Sequence, residues 1–107
     1  MFNADELNIL DNIKLIENYK AFLLSSVADL FTSMAKGNKS STDEITDELS
    51  EIIILSYMLG RRLGISFSEI DEKVIKKLKL GLLKEEADTQ YQDCAKLISY
   101  IREGREV

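Results

Sequence analysis

Three carboxylates, Glu44, Glu48 and Glu51, recur at spacings of four and three within a stretch whose apolar residues keep a helical period. On a helix, residues so spaced share one face. A fourth acid, Asp29, lies on the stretch before it. Carboxylates facing each other across two antiparallel helices are a common way for helical proteins to hold divalent ions. Gathered carboxylates repel one another, and a cation relieves that cost. The chemistry open to this set is narrow, because the chain has no histidine and Cys94 is its single cysteine. Ser-His and Cys-His nucleophiles, His-ligated zinc and internal disulfides are therefore excluded. A metal at this face would be a hard cation such as Mg2+ or Mn2+, held by a few carboxylates and by substrate phosphates. Glu at such spacings is also common on plain solvated helices, so spacing alone leaves both readings open. Cys94 falls on an apolar stripe, where it reads as a small buried hydrophobe.

The acids must be positioned by the stretch 43–64, which reads as the central helix. Ser41-Thr42-Asp43-Glu44 is a capping box: Ser41 accepts from an orphan N–H and Glu44 reaches back. Gly64 supplies the left-handed stop, and Arg61 and Arg62 suit the negative end of the dipole. Ile45, Leu49, Ile52, Ser56, Leu59 and Leu63 form the expected inner face, with the acidic stripe rotated about 100° from it. Between residues 52 and 59 the helix is apolar nearly all round, which calls for cover on more than one side. In a chain this short, a second subunit is one source of that cover.

Upstream, no Gly or Pro interrupts residues 1–36, and apolar positions keep helical spacing from Leu7 to Met34. The stretch reads as one long helix or as two jointed near Asp11-Asn12. Asn3-Ala4-Asp5-Glu6 reads as a capping box at its start, and Lys36-Gly37 as its end. Downstream, Ser66-Phe67-Ser68-Glu69 caps a helix expected over 67–80, with Gly81 ending it. Residues 82–88 read as a connector. Thr89-x-x-Gln92 caps a last helix with Tyr91, Cys94, Ala95, Ile98 and Ile101 inside, and the end of the chain frays.

The expected fold is all-α, one domain over 1–107, with four or five helices. The net charge of −5 argues against nucleic acid and against an anionic membrane surface as partners. Lys73, Lys76, Lys77 and Lys79 read as a solvated helix face. No apolar run is long enough to span a bilayer and no signal peptide is evident, so the protein reads as cytoplasmic.

The run Glu48-Leu49-Ser50-Glu51-Ile52-Ile53, followed by Leu59-Gly60-Arg61-Arg62-Leu63-Gly64-Ile65-Ser66, resembles the MazG-like group of the all-α nucleoside triphosphate pyrophosphatases. There an E-x-x-D pair on a long apolar helix leads into an R/K-L-G-I turn and another helix. Asp71-Glu72-Lys73 through Lys77-Leu78 resembles that next helix, and Ala35-Lys36-Gly37 the end of the first acidic one. Tyr91-Gln92-Asp93-Cys94-Ala95-Lys96-Leu97 resembles a divergent subgroup of Firmicutes and their phages. The resemblance covers roughly residues 23–100.

It implies a MazG-like helical bundle that dimerises. Active members hold Mg2+ with E-E-x-x-E and E-x-x-D motifs on antiparallel helices, and cleave nucleoside triphosphates to monophosphate and pyrophosphate. Carried over, E-x-x-D falls on Glu48 and Glu51, with Glu in place of Asp. E-E-x-x-E falls on Ser25, Ser26 and Asp29, so two carboxylates are replaced by hydroxyls and the third is shortened. Such hydrolysis depends on metal that polarises phosphate and activates water. Two expectations follow. The first is a catalytically degenerate member with no catalytic residue, in which Ser25 and Ser26 mark a remnant pocket. It acts by binding a nucleotide or a protein partner, as a regulator encoded by a phage or mobile element. The second is a working Mg2+-dependent pyrophosphohydrolase, with Asp29, Glu48 and Glu51, joined by Glu44, as metal ligands.

Overall fold

In a computed structural model, residues 4–37, 41–84 and 88–104 are described. Among them the chain forms α1 (Ala4–Ala35), α2 (Thr42–Arg62), α3 (Phe67–Lys84) and α4 (Asp88–Arg102), with no strand. The fold is all-α, as expected. Two compact units divide at the turn between α2 and α3: Met1–Ile65, holding α1 and α2, and Ser66–Val107, holding α3 and α4.

In the first unit, α1 is one continuous helix of 32 residues, so the question of a joint at Asp11-Asn12 is settled in favour of continuity. At about 1.5 Å per residue it spans about 48 Å. Its proposed start at Asn3 lies outside the described residues. Its end is as expected, with Gly37 at φ 60°. Ser41 caps α2 by accepting from the Glu44 amide at 3.0 Å. At the other end, Gly64 adopts φ 84°. The Ile65 amide donates to the Gly60 carbonyl at 2.9 Å and the Gly64 amide to Arg61 at 3.2 Å. This is the Schellman arrangement that satisfies the last carbonyls of a helix.

α1 and α2 pack against each other as an antiparallel hairpin. The buried and half-buried side chains trace its seam. The line that keeps to one side runs on α1 through Asn12, Ile16, Tyr19, Leu23, Ser26, Leu30 and Ser33, and on α2 through Ile45, Glu48, Ile52, Leu55, Leu59 and Arg62; Leu15, Val27, Glu44 and Tyr57 are half-buried and Gly60 is buried beside it. Successive members alternate between steps of four and three, the average period of 3.5 at which two helices stay in contact along their length. Leu30 and Leu55 are the most buried of its apolar members. The expected inner face of α2 is thereby corrected. Leu49 is 46% exposed and Leu63 58%, while Glu48 and Leu55 take the inner positions. Ile45, Ile52 and Leu59 stay inside while the positions between them each move back by one residue, so the seam is turned about 50° towards the acids.

The register is fixed at both ends. Asn12 Nδ2 donates to the Arg62 carbonyl at 3.2 Å, and an Arg62 guanidinium nitrogen approaches Asn12 Oδ1 at 3.5 Å. At the opposite end, Lys36 Nζ pairs with Glu44 Oε1 at 3.2 Å. Since α2 ends opposite Asn12, the first turns of α1 extend past it.

In the second unit, both halves of the capping box at Ser66 form. The Glu69 amide donates to Ser66 Oγ at 3.1 Å and the Ser66 amide to Glu69 Oε2 at 3.2 Å. Two boundaries differ from expectation. α3 continues through Gly81 to Lys84, and α4 begins at Asp88, so Thr89 is inside it. Gly81 is where α4 comes close: a Cβ there would lie 3.8 Å from Cys94 Sγ. The residue read as a helix stop is thus a contact point. Cys94 and Ala95 are half-buried and Ile98 is buried, as expected, whereas Tyr91 is 48% exposed.

The glycines give a paired prediction. Gly81→Ala places a methyl at ordinary contact distance in a helix interior, and should raise stability by about 0.5–1 kcal/mol. Gly64→Ala forces a Cβ into the left-handed region and should lower stability by about 1 kcal/mol or more. Urea unfolding followed by circular dichroism measures both.

Candidate functional site

The acids of α2 do not share one environment. Glu48 sits on the seam, half-buried, while Glu51 is exposed and Glu44 half-buried at the margin. A helical side chain leans towards the N-terminus of its helix. In an antiparallel hairpin this carries the Glu48 carboxylate towards the C-terminal end of α1. There Ser33 Oγ donates to Glu48 Oε1 at 2.7 Å. Ser33 is 2% exposed, the most buried polar side chain described. The second carboxylate oxygen, Glu48 Oε2, is buried without a hydrogen-bond partner. A charged acceptor in that condition costs free energy, so Glu48 is the chemically unfinished group of the hairpin.

Sequence reasoning named Glu48 but missed Ser33. The signal was there: Ser26, Leu30 and Ser33 continue the four-three spacing of the α1 seam. A serine on that line faces the partner helix whatever its polarity.

The other candidates are placed as follows. Ser26 lies on the seam, half-buried, whereas Ser25 is exposed. Asp29 is exposed, one residue before the seam position Leu30, and Glu51 is likewise one residue before Ile52. Lys36 and Glu44 hold the equivalent positions one heptad away and are ion-paired. Stepping back a heptad on α1 and forward a heptad on α2 leads from that pair to Asp29 and Glu51. The hairpin repeat therefore sets these two acids on one flank at one height, as like charges. One heptad further, Phe22 and Met58 take the same positions. Glu44 is committed to Lys36. Among the described residues, no three or more Asp, Glu, Cys or His side chains form a group able to hold a metal ion.

An antiparallel helix pair carrying an inward glutamate, followed by a Leu-Gly turn into a third helix, defines a class of all-α protein. The model of the MazG-like family matches residues 9–94, and the chain belongs to that family. No curated protein and no solved structure matches the chain significantly. No helix among the described residues is long and apolar enough to cross a membrane.

The Ser33–Glu48 pair generates a test by double substitution. Ser33→Ala leaves both Glu48 oxygens buried without that donor and should cost about 1–3 kcal/mol. Adding Glu48→Leu removes the stranded carboxylate and should recover most of the loss, to within about 1 kcal/mol of the parent. A denaturant double-mutant cycle reads the coupling.

Proposed function

We propose that this MazG-like protein acts by binding and not by nucleotide hydrolysis. The observation that carries this reading is the partner of Glu48: a serine hydroxyl stands opposite it on α1. By the family resemblance, Ser25 and Ser26 fall where active members carry carboxylates. The Mg2+ site of the family does not fit the donors present. Glu48 offers one open oxygen, Glu44 is held by Lys36, and Asp29 and Glu51 are exposed at the flank. No chemical step is therefore derived through a metal. What the arrangement supplies is an acidic flank beside a partly buried carboxylate, with Ser26 on the adjoining seam, as a remnant pocket for a nucleotide or a cationic group of a protein partner. The resemblance of residues 91–97 to a subgroup of Firmicutes and their phages favours a regulator encoded by a phage or mobile element. The exposed apolar residues of α1 and α2 favour a homo-oligomer as the working form.

A second reading has one observation in its favour. The partnerless Glu48 Oε2 is an open oxygen of the kind a divalent cation completes. On that reading Asp29, Glu48 and Glu51 would hold Mg2+, which would supply charge stabilisation to a triphosphate, and the protein would be a pyrophosphohydrolase.

Isothermal titration of Mg2+ and Mn2+ into metal-free protein, alone and with nucleoside triphosphates, separates the two. The binding reading expects no saturable metal heat at millimolar concentration and no pyrophosphate release. Saturable binding with release would overturn it. In metal-free protein Glu48→Gln, which keeps the acceptor for Ser33 but removes the charge, should leave the melting temperature unchanged or raise it. A clear fall in the melting temperature would count against an uncompensated carboxylate.

A further inference from the structure

The charge of the chain is unevenly placed. From Lys73 to Lys84 the sequence holds five lysines and no acid. The chain carries −5 in all, so the rest of it carries −10. On α3, Lys76, Leu80, Lys73 and Lys77 fall within about 100° of one another around the helix axis. The half-buried Val74, Ile75 and Leu78 lie on the other side of the helix. The three lysines of this strip are exposed, and Leu80, one turn on from Lys76 and Lys77, is 52% exposed.

Two ordinary causes of such a strip do not apply. Lysines suit the negative end of a helix dipole, but that field falls off within the last turn. Lys73, Lys76 and Lys77 stand seven or more residues before the end of α3 at Lys84. Acids four residues earlier, Glu69 and Glu72, stand in the favoured order for pairing with Lys73 and Lys76. Yet Glu69 is turned back to the Ser66 amide at 3.2 Å. Among the described residues none of Lys73, Lys76 and Lys77 forms an ion pair. Like charges three and four apart on a helix repel one another, so an anionic partner relieves a repulsion that the chain itself leaves standing.

We propose that this face of α3 docks an acidic, partly apolar segment of a protein partner, laid along the helix. The proposal concerns a different surface from the α1–α2 reading above and does not depend on it. A single convex helix face cannot enclose a small anion. Nucleic acid is a poor match in length. The strip runs about 11 Å from Lys73 to Leu80, whereas a duplex carries a charge every ~1.7 Å and would overrun it onto a chain that is otherwise acidic. A polypeptide can confine its carboxylates to the strip. Leu80 offers an apolar contact beside the charges, as a side chain of such a segment would use and a phosphate backbone would not.

Fluorescence anisotropy with the full chain tests this, the probe being a labelled amphipathic peptide of Glu and Leu at helical spacing. At low salt the probe should bind saturably, one per chain, and its Kd should rise about tenfold or more in about 0.5 M salt. Lys73→Ala and Lys77→Ala, made separately, should each weaken binding about fivefold. Alanine favours helix, so a loss with helicity kept does not come from folding. Leu80→Asn, which changes no charge, should weaken binding as well. Lys20→Ala on α1 should leave the Kd unchanged. No binding at low salt, equal binding of a Gln and Leu peptide, or a Kd unmoved by Lys73→Ala and Lys77→Ala would overturn the proposal. Displacement of the peptide by tripolyphosphate or by a thymidine oligonucleotide at equal charge concentration would overturn an acidic protein as the occupant, in favour of a phosphate polyanion.

Discussion

The contact line between α1 and α2 governs what every other residue of the hairpin can do. Two helices that meet at alternating steps of four and three remain in contact along their length. The contact also assigns each side chain to the seam, to one flank or to the other. Once Asn12 is fastened to the Arg62 carbonyl and Lys36 to Glu44, no sliding is left, and the assignment is complete. Glu48 is then inward because of its position on the line, not because of its polarity. Its buried carboxylate is tolerated because Ser33 arrives at the same level.

Much of this was legible in the sequence. Capping residues, the Lys36-Gly37 and Gly64 stops and the apolar period gave the helices, and Glu48 stood out as the acid to watch. The errors share a physical origin. Counting apolar residues put Leu49 inside and Glu48 beside the core, because a hydrophobic stripe was taken to be the contact line. In a two-helix contact the line follows spacing, and serine, asparagine and glutamate on it are carried inward with the rest. Ser33 was passed over for the same reason: it is neither apolar nor acidic, and only its spacing marks it. Gly81 misled differently. Glycine at a helix end and glycine at a close approach look alike in one dimension, and only the proximity of Cys94 tells them apart.

Membership of the MazG-like family accounts for the helical fold, yet family membership fixes an architecture and not a chemistry. Serine in place of a carboxylate on α1 would change the electrostatics of the pair while still fitting the seam, since serine is the smaller side chain. A scaffold of this type can therefore lose anionic ligands and still fold. The hairpin is held by Leu23, Leu30, Ile52, Leu55 and Leu59, none of which belongs to the acidic set.

The unequal lengths of the two helices have a consequence for cooperativity. α1 has 32 residues and α2 has 21, and the Asn12–Arg62 clasp marks where the shorter one stops. Beyond it, the first turns of α1 draw no support from α2 and rely on intrinsic helix-forming tendency, which is marginal for a short segment in water. The clasp thus divides α1 into a part that opens only with the hairpin and a part free to wind and unwind by itself. Amide exchange along this single helix would register that division as a step in protection near Asn12, and not as a gradual decline.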